Sequence, residues 1–255
     1  MGMYERFRLD GKVAVVTGGS MGIGEGIALA LAECGADVVV CARREGPVQE
    51  VAEKIKALGR RSFGASVDVL DFTQLPKLLD RVVDEFGSLD IMVNNAGGNL
   101  DRQMHPLPDI TEAKWDEQMN LNSKTKFWGS QQAAKRMTNG GRIINISSIA
   151  AHQPSPGFGT YSTANLGVIA MSRTMAVELG PKGITVNVIC PGVFVTESLT
   201  ETMKVSKEQA EEMFASNIPV GRTGRIEDCG AAAVFFASPA AEFTTGQYIN
   251  VAGGQ

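Results

Sequence analysis

Between the apolar run Val13-Ala14-Val15-Val16 and a helix-forming stretch that begins at Gly22 lies Thr17-Gly18-Gly19-Ser20-Met21-Gly22-Ile23-Gly24. Glycines there let the backbone turn tightly, approach a diphosphate closely and pack a helix against a strand. The free N–H groups of a helix start, with the helix dipole behind them, favour an anion. A glycine motif alone says little, but one set between the first strand and first helix of a βαβ unit points to a dinucleotide. Gly18, Ser20, Met21, Gly22, Ile23 and Gly24 are the residues expected to hold it, with the spacing GxxxGxG rather than GxGxxG. The second apolar run ends Val40-Cys41-Ala42-Arg43-Arg44, with no carboxylate before Glu45. A carboxylate at that place would bind the ribose 2′-hydroxyl and repel a 2′-phosphate. Two guanidinium groups instead hold a phosphate by charge and forked hydrogen bonds. Arg43 and Arg44 therefore favour NADP over NAD, the alternative being two solvated arginines.

These residues need a scaffold that brings strand ends together. Strands are predicted at 13–16, 37–41, 62–67, 89–93, 142–146, 184–189 and 247–251, and helices at 22–34, 47–58, 73–86, 111–137, 161–179 and 226–236. Gly35, Gly59, Gly87 and Gly180 stand where left-handed helix caps are expected. Alternation of helices with nearly all-apolar strands implies an α/β fold, a doubly wound parallel sheet covered by helices on both faces. No repeat or linker divides residues 1–255, so a single domain is expected. Residues 193–224 lack clear periodicity and read as a lid over the strand ends or as a surface helix pair packed on the body.

Composition narrows the function classes. Lys plus Arg is 24 and Asp plus Glu is 28, a net charge of −4, which argues against nucleic acid or an anionic membrane as the main partner. No stretch reaches the ~20 apolar residues of a membrane helix, and the start lacks a signal-peptide core. The four cysteines form no CxxC pair and only His105 and His152 are available, so no metal site is expected. Reduced thiols in a cytoplasmic protein are the simplest expectation.

From residue 9 to 254 the chain resembles the short-chain dehydrogenase/reductase family in its small single-domain, Rossmann-like form. The resemblance rests on Thr17 to Gly24, Asp68-Val69, Asn94-Asn95-Ala96-Gly97 and Cys190-Pro191-Gly192, each after a strand and in the family's order. It implies that Asp68 and Val69 border the adenine and that Asn95, Ala96 and Gly97 support the cofactor. Pro191, Gly192, Val193 and Thr196 would lie along the nicotinamide carboxamide. It also implies a catalytic set of Asn122, Ser148 and Tyr161, with Ser148 13 residues before Tyr161; Asn120 and Ser147 are the weaker choices. The Ser hydroxyl would polarise a carbonyl and the phenol deliver a proton to the developing alkoxide, while the cofactor carries the hydride.

One departure bears on the chemistry. The family's Tyr-x-x-x-Lys is here Tyr161-Ser162-Thr163-Ala164-Asn165. Residues four apart share a helix face, so residue 165 belongs beside the phenol. A Lys there would bind the nicotinamide ribose and lower the phenol pKa from about 10. Asn165 can hydrogen-bond the ribose but brings no charge. The chain is then an NADP-dependent oxidoreductase with impaired activity, an enzyme with a substitute cation, or a catalytically silent NADP-binding protein. Lys124 and Lys126 are the candidate substitutes, although both are expected to be solvated. The substrate pocket is expected to include His152, Phe158 and Phe194, and the lack of an Arg/Lys cluster favours a neutral ketone or secondary alcohol. Apolar residues on more than one face of 161–179 mean complete burial or an interface, and the family resemblance implies a homotetramer.

Overall fold

β-branched, apolar runs form seven strands: β1 (Val13–Thr17), β2 (Asp37–Ala42), β3 (Gly64–Ser66), β4 (Ile91–Asn94), β5 (Gly141–Ile146), β6 (Ile184–Pro191) and β7 (Tyr248–Val251). In this computed structural model, which describes residues 2–101, 104–153 and 155–255 apart from the side chains of Ser198, Glu201 and Thr202, every strand pair is parallel and the order is β3-β2-β1-β4-β5-β6-β7. The helices are α1 (Gly22–Glu33), α2 (Glu45–Ala57), α3 (Gln74–Phe86), α4 (Glu112–Met119), α5 (Thr125–Ala134), α6 (Gly159–Leu179), α7 (Glu197–Met203), α8 (Lys207–Ala215) and α9 (Ile226–Ala237).

Parallel pairing requires crossovers, and the helices that make them cover the strands. β1, β4 and β6 are buried along their whole length. Alternate residues feed two cores: Ala14, Val16, Ile91 and Val93 pack with α1, α2 and α9, while Val13, Val15, Met92 and Ile143 pack with α3, α5 and α6. Each fully buried Ile or Val contributes about 1.5–3 kcal/mol, so the sheet is a stiff base for the loops at its carboxyl edge. The strand order reverses direction between β1 and β4, and that switch point opens the crevice where such sheets bind ligands.

The doubly wound sheet is as the sequence implies, with three local differences. The third strand shrinks to three residues from the predicted 62–67. The expected helix 111–137 is α4 and α5 joined through a π-helical turn, Asn120–Lys124. Gly180 is right-handed (φ −51°), because a short 3-10 turn, Gly180–Lys182, follows α6 and moves the left-handed stop to Gly183 (φ 71°). Gly35, Gly59 and Gly87 do take positive φ.

Among the described residues no helix is long and apolar enough to cross a membrane. The outer face of α6 carries exposed Leu166 and Val177, and Phe127 on α5 is also exposed. Complete burial of α6 within one chain is therefore ruled out by its own surface.

Candidate active site

The nucleotide end of the crevice is made of backbone. The α1 N-terminus has no side-chain cap, since the Met21 side chain at the capping position accepts none of the helix N–H groups, so the first of them remain available to an anion. The turn is packed too tightly for a side chain at its glycines: a Cβ on Gly24 would lie 2.2 Å from the Gly18 carbonyl oxygen and 2.5 Å from Asn95 Nδ2. Asn95 explains the tightness. Its Nδ2 donates to the carbonyls of Thr17 (3.0 Å) and Gly18 (3.1 Å), while the Thr17 hydroxyl accepts from the N–H groups of Asn95 and Ala96, both at 3.1 Å. The end of β4 thus clamps the turn after β1. Thr196 reaches the same place from the β6 side, because a Cβ on Gly22 would meet its methyl at 3.0 Å.

Arg43 and Arg44 are exposed at the end of β2, and Arg44 folds over the turn with Nη2 3.2 Å from Met21 Sδ. Asp68 accepts the Leu70 N–H at 3.0 Å, which fixes the bend after β3.

From this turn a cavity of about 790 Å³ runs between α6 and residues 193–224. Ile23, Asn95 and Gly97 line it at one end, and Asn122, Ser148, Tyr161 and Asn165 along its wall. Pro191, Gly192, Phe194 and Thr196 border it, and Phe158, Met104, Leu199, Met203 and Phe214 give it an apolar far side. Of the expected site residues, Arg43, Arg44, Asp68, Val69, Ala96, Val193, His152 and the turn residues other than Ile23 do not line it. His152, expected in the substrate pocket, is exposed and stacks on Tyr248, with ring centroids 4.7 Å apart. It follows a one-turn helix, Ile149–Ala151, that carries it outward past the strand end.

The two serines after β5 have separate tasks. Ser147 donates to the Asn165 carbonyl at 2.9 Å and ties the strand end to α6. The Ser148 side chain faces the cavity and accepts the Ala150 N–H at 3.2 Å. Burial pushes the Tyr161 phenol above its usual value, and hydrogen bonding from Ser148 and Asn165 pulls the other way. Asn165 is buried, and its amide donates to the Tyr161 carbonyl at 2.9 Å, one turn back on α6. Asn122 holds the loop after β4: its Oδ1 accepts the Gly98 N–H at 2.8 Å and its Nδ2 donates to the Gly98 carbonyl at 2.9 Å.

Two features escaped the sequence. The first is a buried amide–hydroxyl network: Asn94 Nδ2 donates to Asn145 Oδ1 (2.8 Å) and to Ser130 (3.1 Å), and Asn145 Nδ2 donates to Ser172 (2.9 Å). It bolts β4 and β5 to α5 and α6, and the only signal was polar residues inside apolar runs. The second is Lys126. Lys124 is exposed, as expected, and lies over the Phe72 ring. Lys126 is not solvated; it is 2 % exposed and lines the cavity. Its ammonium donates to the Asn122 carbonyl at 3.0 Å and the Ala96 carbonyl at 3.2 Å, and burial lowers its pKa to about 7.

The family model described as enoyl-(acyl carrier protein) reductase matches residues 18–255. The chain is 41% identical over 251 residues to 2-dehydro-3-deoxy-D-gluconate 5-dehydrogenase of Escherichia coli K12, covering 97% of this chain and 96% of that one. It is 38% identical over 246 residues to 3-oxoacyl-(acyl-carrier-protein) reductase of Staphylococcus aureus, covering 95% and 97%. Among solved structures, 7α-hydroxysteroid dehydrogenase complexed with NADH and 7-oxo glycochenodeoxycholic acid superposes with a TM-score of 0.91 at 34% identity, covering 100% and 98% of the chains. A short-chain dehydrogenase of Burkholderia cenocepacia in complex with NADP gives 0.87 at 34%, covering 97% and 98%. With its seven-stranded parallel sheet and glycine turn, the chain belongs to the short-chain dehydrogenase/reductase family. It is an NAD(P)-dependent oxidoreductase.

Proposed function

We propose that the protein interconverts a ketone and a secondary alcohol with NADP as its nucleotide. The observation that carries this reading is one cavity that runs from the uncapped start of α1 to Ser148 and Tyr161. The α1 N–H groups and the glycine turn would hold the diphosphate, Asp68, Val69 and Asn95 the adenosine side, and Arg43 and Arg44 a 2′-phosphate. Pro191, Gly192, Val193 and Thr196 would flank the nicotinamide, and Asn165 would meet its ribose. A bound reduced nicotinamide supplies hydride to a carbonyl carbon. Ser148 donates a hydrogen bond to the carbonyl oxygen, and Tyr161 gives that oxygen its proton; in oxidation the phenolate takes the proton back. Asn122 keeps the loop after β4 in place beneath them.

Phe158 and Phe194 set an apolar wall, which suits a neutral substrate. Phe158 meets the Tyr161 ring edge-on at 6.4 Å, and the buried Phe194 ring lies over Gly224. Residues 193–224, with α7 and α8, would act as the lid, since Leu199, Met203 and Phe214 reach the cavity from them. The exposed Leu166 and Phe127 support pairing of α5 and α6 with a second copy, towards the tetramer of the family. The relatives act on a sugar acid, an acyl-carrier thioester and a steroid, so a carbonyl panel should span all three.

The test is a fluorescence titration with NADPH and NADH, followed by that panel read at the reduced-nicotinamide absorbance. NADPH should bind more tightly, one carbonyl should oxidise it, and Tyr161→Phe should lower turnover by about 10²–10⁴-fold with NADPH affinity kept. A second reading, a silent nucleotide-binding protein, is favoured by the neutral Asn165 and the raised phenol pKa. It predicts binding without turnover of any carbonyl; failure of both nucleotides to bind would end both readings.

A further inference from the structure

Among the described residues only two that are not glycine hold a left-handed backbone, Met104 (φ 52°) and Lys204 (φ 56°). A residue with a side chain is strained there, and such strain persists where the surroundings impose it, commonly at a functional site. The two belong to unconnected loops, one after β4 and one after α7, yet both serve the same end of the cavity. Met104 lines it directly. Lys204 stops α7 immediately behind Met203, which also lines it.

We propose that Met104 and Met203 form an apolar clasp over the substrate, and that the ketone taken here carries a bulky apolar carbon skeleton rather than the hydroxyls and carboxylate of a sugar acid. The proposal rests on the reading of this cavity as a ketone site.

Met104 is 52 % exposed although it lines the cavity, so an apolar side chain is held half in water where an apolar ligand would cover it. The hold is a knot around the buried Asp101. Its carbonyl accepts the Met104 N–H at 3.1 Å, and its carboxylate accepts the His105 N–H at 2.8 Å while lying 2.7 Å from His105 Nδ1 and 3.6 Å from Lys114 Nζ. Met104 is also seated on the segment that enters α6: a Cβ on Gly157 would lie 2.6 Å from Met104 Cβ and 2.7 Å from the Met104 carbonyl oxygen. The next residue, Phe158, is on the cavity wall and edge-on to Tyr161. The clasp is thus registered against the element that carries the phenol.

The other described residues at this end, Phe158, Leu199 and Phe214, bring no side-chain donor or acceptor. Asn99, the polar neighbour on the Met104 loop, spends its amide on Asp101: Oδ1 accepts the Asp101 N–H at 3.1 Å and Nδ2 donates to its carbonyl at 3.3 Å. A hydroxyl or carboxylate placed here would give up water partners without replacement, whereas a carbon skeleton gains contact. The flexible thioethers of two methionines can follow an irregular apolar outline.

The test uses three ketones, the bicyclic apolar 1-decalone, butanone and 5-ketogluconate, with binding read by calorimetry in the presence of oxidised NADP, so that no turnover is needed. Decalone should bind about 10-fold or more tightly than either of the others. Met104→Gly should weaken decalone about 10-fold while the urea midpoint of unfolding holds or rises, because glycine relaxes the strained backbone as it removes the clasp. Met203→Ala should weaken decalone too, and Met104→Leu, which keeps the apolar bulk, should retain it. Tightest binding of ketogluconate, or decalone affinity unchanged in Met104→Gly, would overturn the proposal. So would a clear fall of the unfolding midpoint in Met104→Gly, since the side chain would then be serving the fold. Decalone binding with this pattern but without reduction of any carbonyl would leave the clasp standing and remove the reading of an active enzyme.

Discussion

The two ends of the crevice are built from different materials. Around Gly18 to Gly24 the site is largely main chain, held by Asn95 and Thr17, with its glycine positions closed to a Cβ. Around Tyr161 it is side chain: Ser148, Asn165 and Lys126 reach in from three separate elements. A backbone cradle depends on shape, and its residue types follow from steric need. A side-chain constellation depends on charge and hydrogen bonds that can come from more than one place in the fold. The first end therefore admits almost no substitution at its glycines, while the second has an Asn where its family resemblance implies a Lys and has a buried lysine on the facing helix.

The contrast can be broken most severely at Gly24. Gly24→Ala places a methyl 2.2 Å from the Gly18 oxygen, and the chain should lose about 1–3 kcal/mol or more of stability together with NADPH binding, measured by chemical denaturation and fluorescence. Retained binding would mean that the turn is softer than its packing. An intermediate effect is expected from Arg43→Ala/Arg44→Ala, which removes the charges at the end of β2. The NADPH-to-NADH affinity ratio should fall about 10- to 100-fold, as the loss of one or two charge-assisted hydrogen bonds implies; an unchanged ratio would return both arginines to solvent.

Smaller effects should separate charge from shape at the other end. Asn165→Lys adds a cation beside a phenol whose pKa burial raises, so alcohol oxidation should set in at lower pH than in the wild type. Superimposable pH–rate profiles would show that residue 165 has no electrical influence on Tyr161. The smallest expected signal is in stability. Lys126 loses its proton near pH 7 in the folded chain and near 10.5 when unfolded. Between those values the unfolded chain binds more protons, so wild-type stability should climb with pH across that window. Lys126→Met should flatten that climb in denaturation curves taken at several pH values.

The sheet and the glycine turn were legible because each rests on a local rule: apolar strands, helix stops and a turn that only small residues can make. The Gly180 cap was misplaced because the added 3-10 turn at Pro181 has no periodic signature. His152 and Lys126 were placed wrongly for a shared reason. Sequence gives a residue's element but not which way its side chain leans, and a Lys among Ser123, Lys124 and Thr125 reads as surface. Its burial comes from the packing of α5 beneath the loop after β4, a contact between segments 30 residues apart. The buried Asn94–Asn145 pair was hidden in the same way, since polar residues within strands reveal their partners only once the strands are side by side.

The π-helical turn at Asn120–Lys124 makes this arrangement sensitive to chain length. Such a turn holds one residue more than regular winding allows. Removal of one residue between Asn122 and Lys126 would close the turn into regular α-helix and shorten the spacing on which the bond from Lys126 to the Asn122 carbonyl depends. Point exchanges in this stretch could accumulate over evolution, but insertions and deletions could not, and the number of residues there should drift far more slowly than their identities.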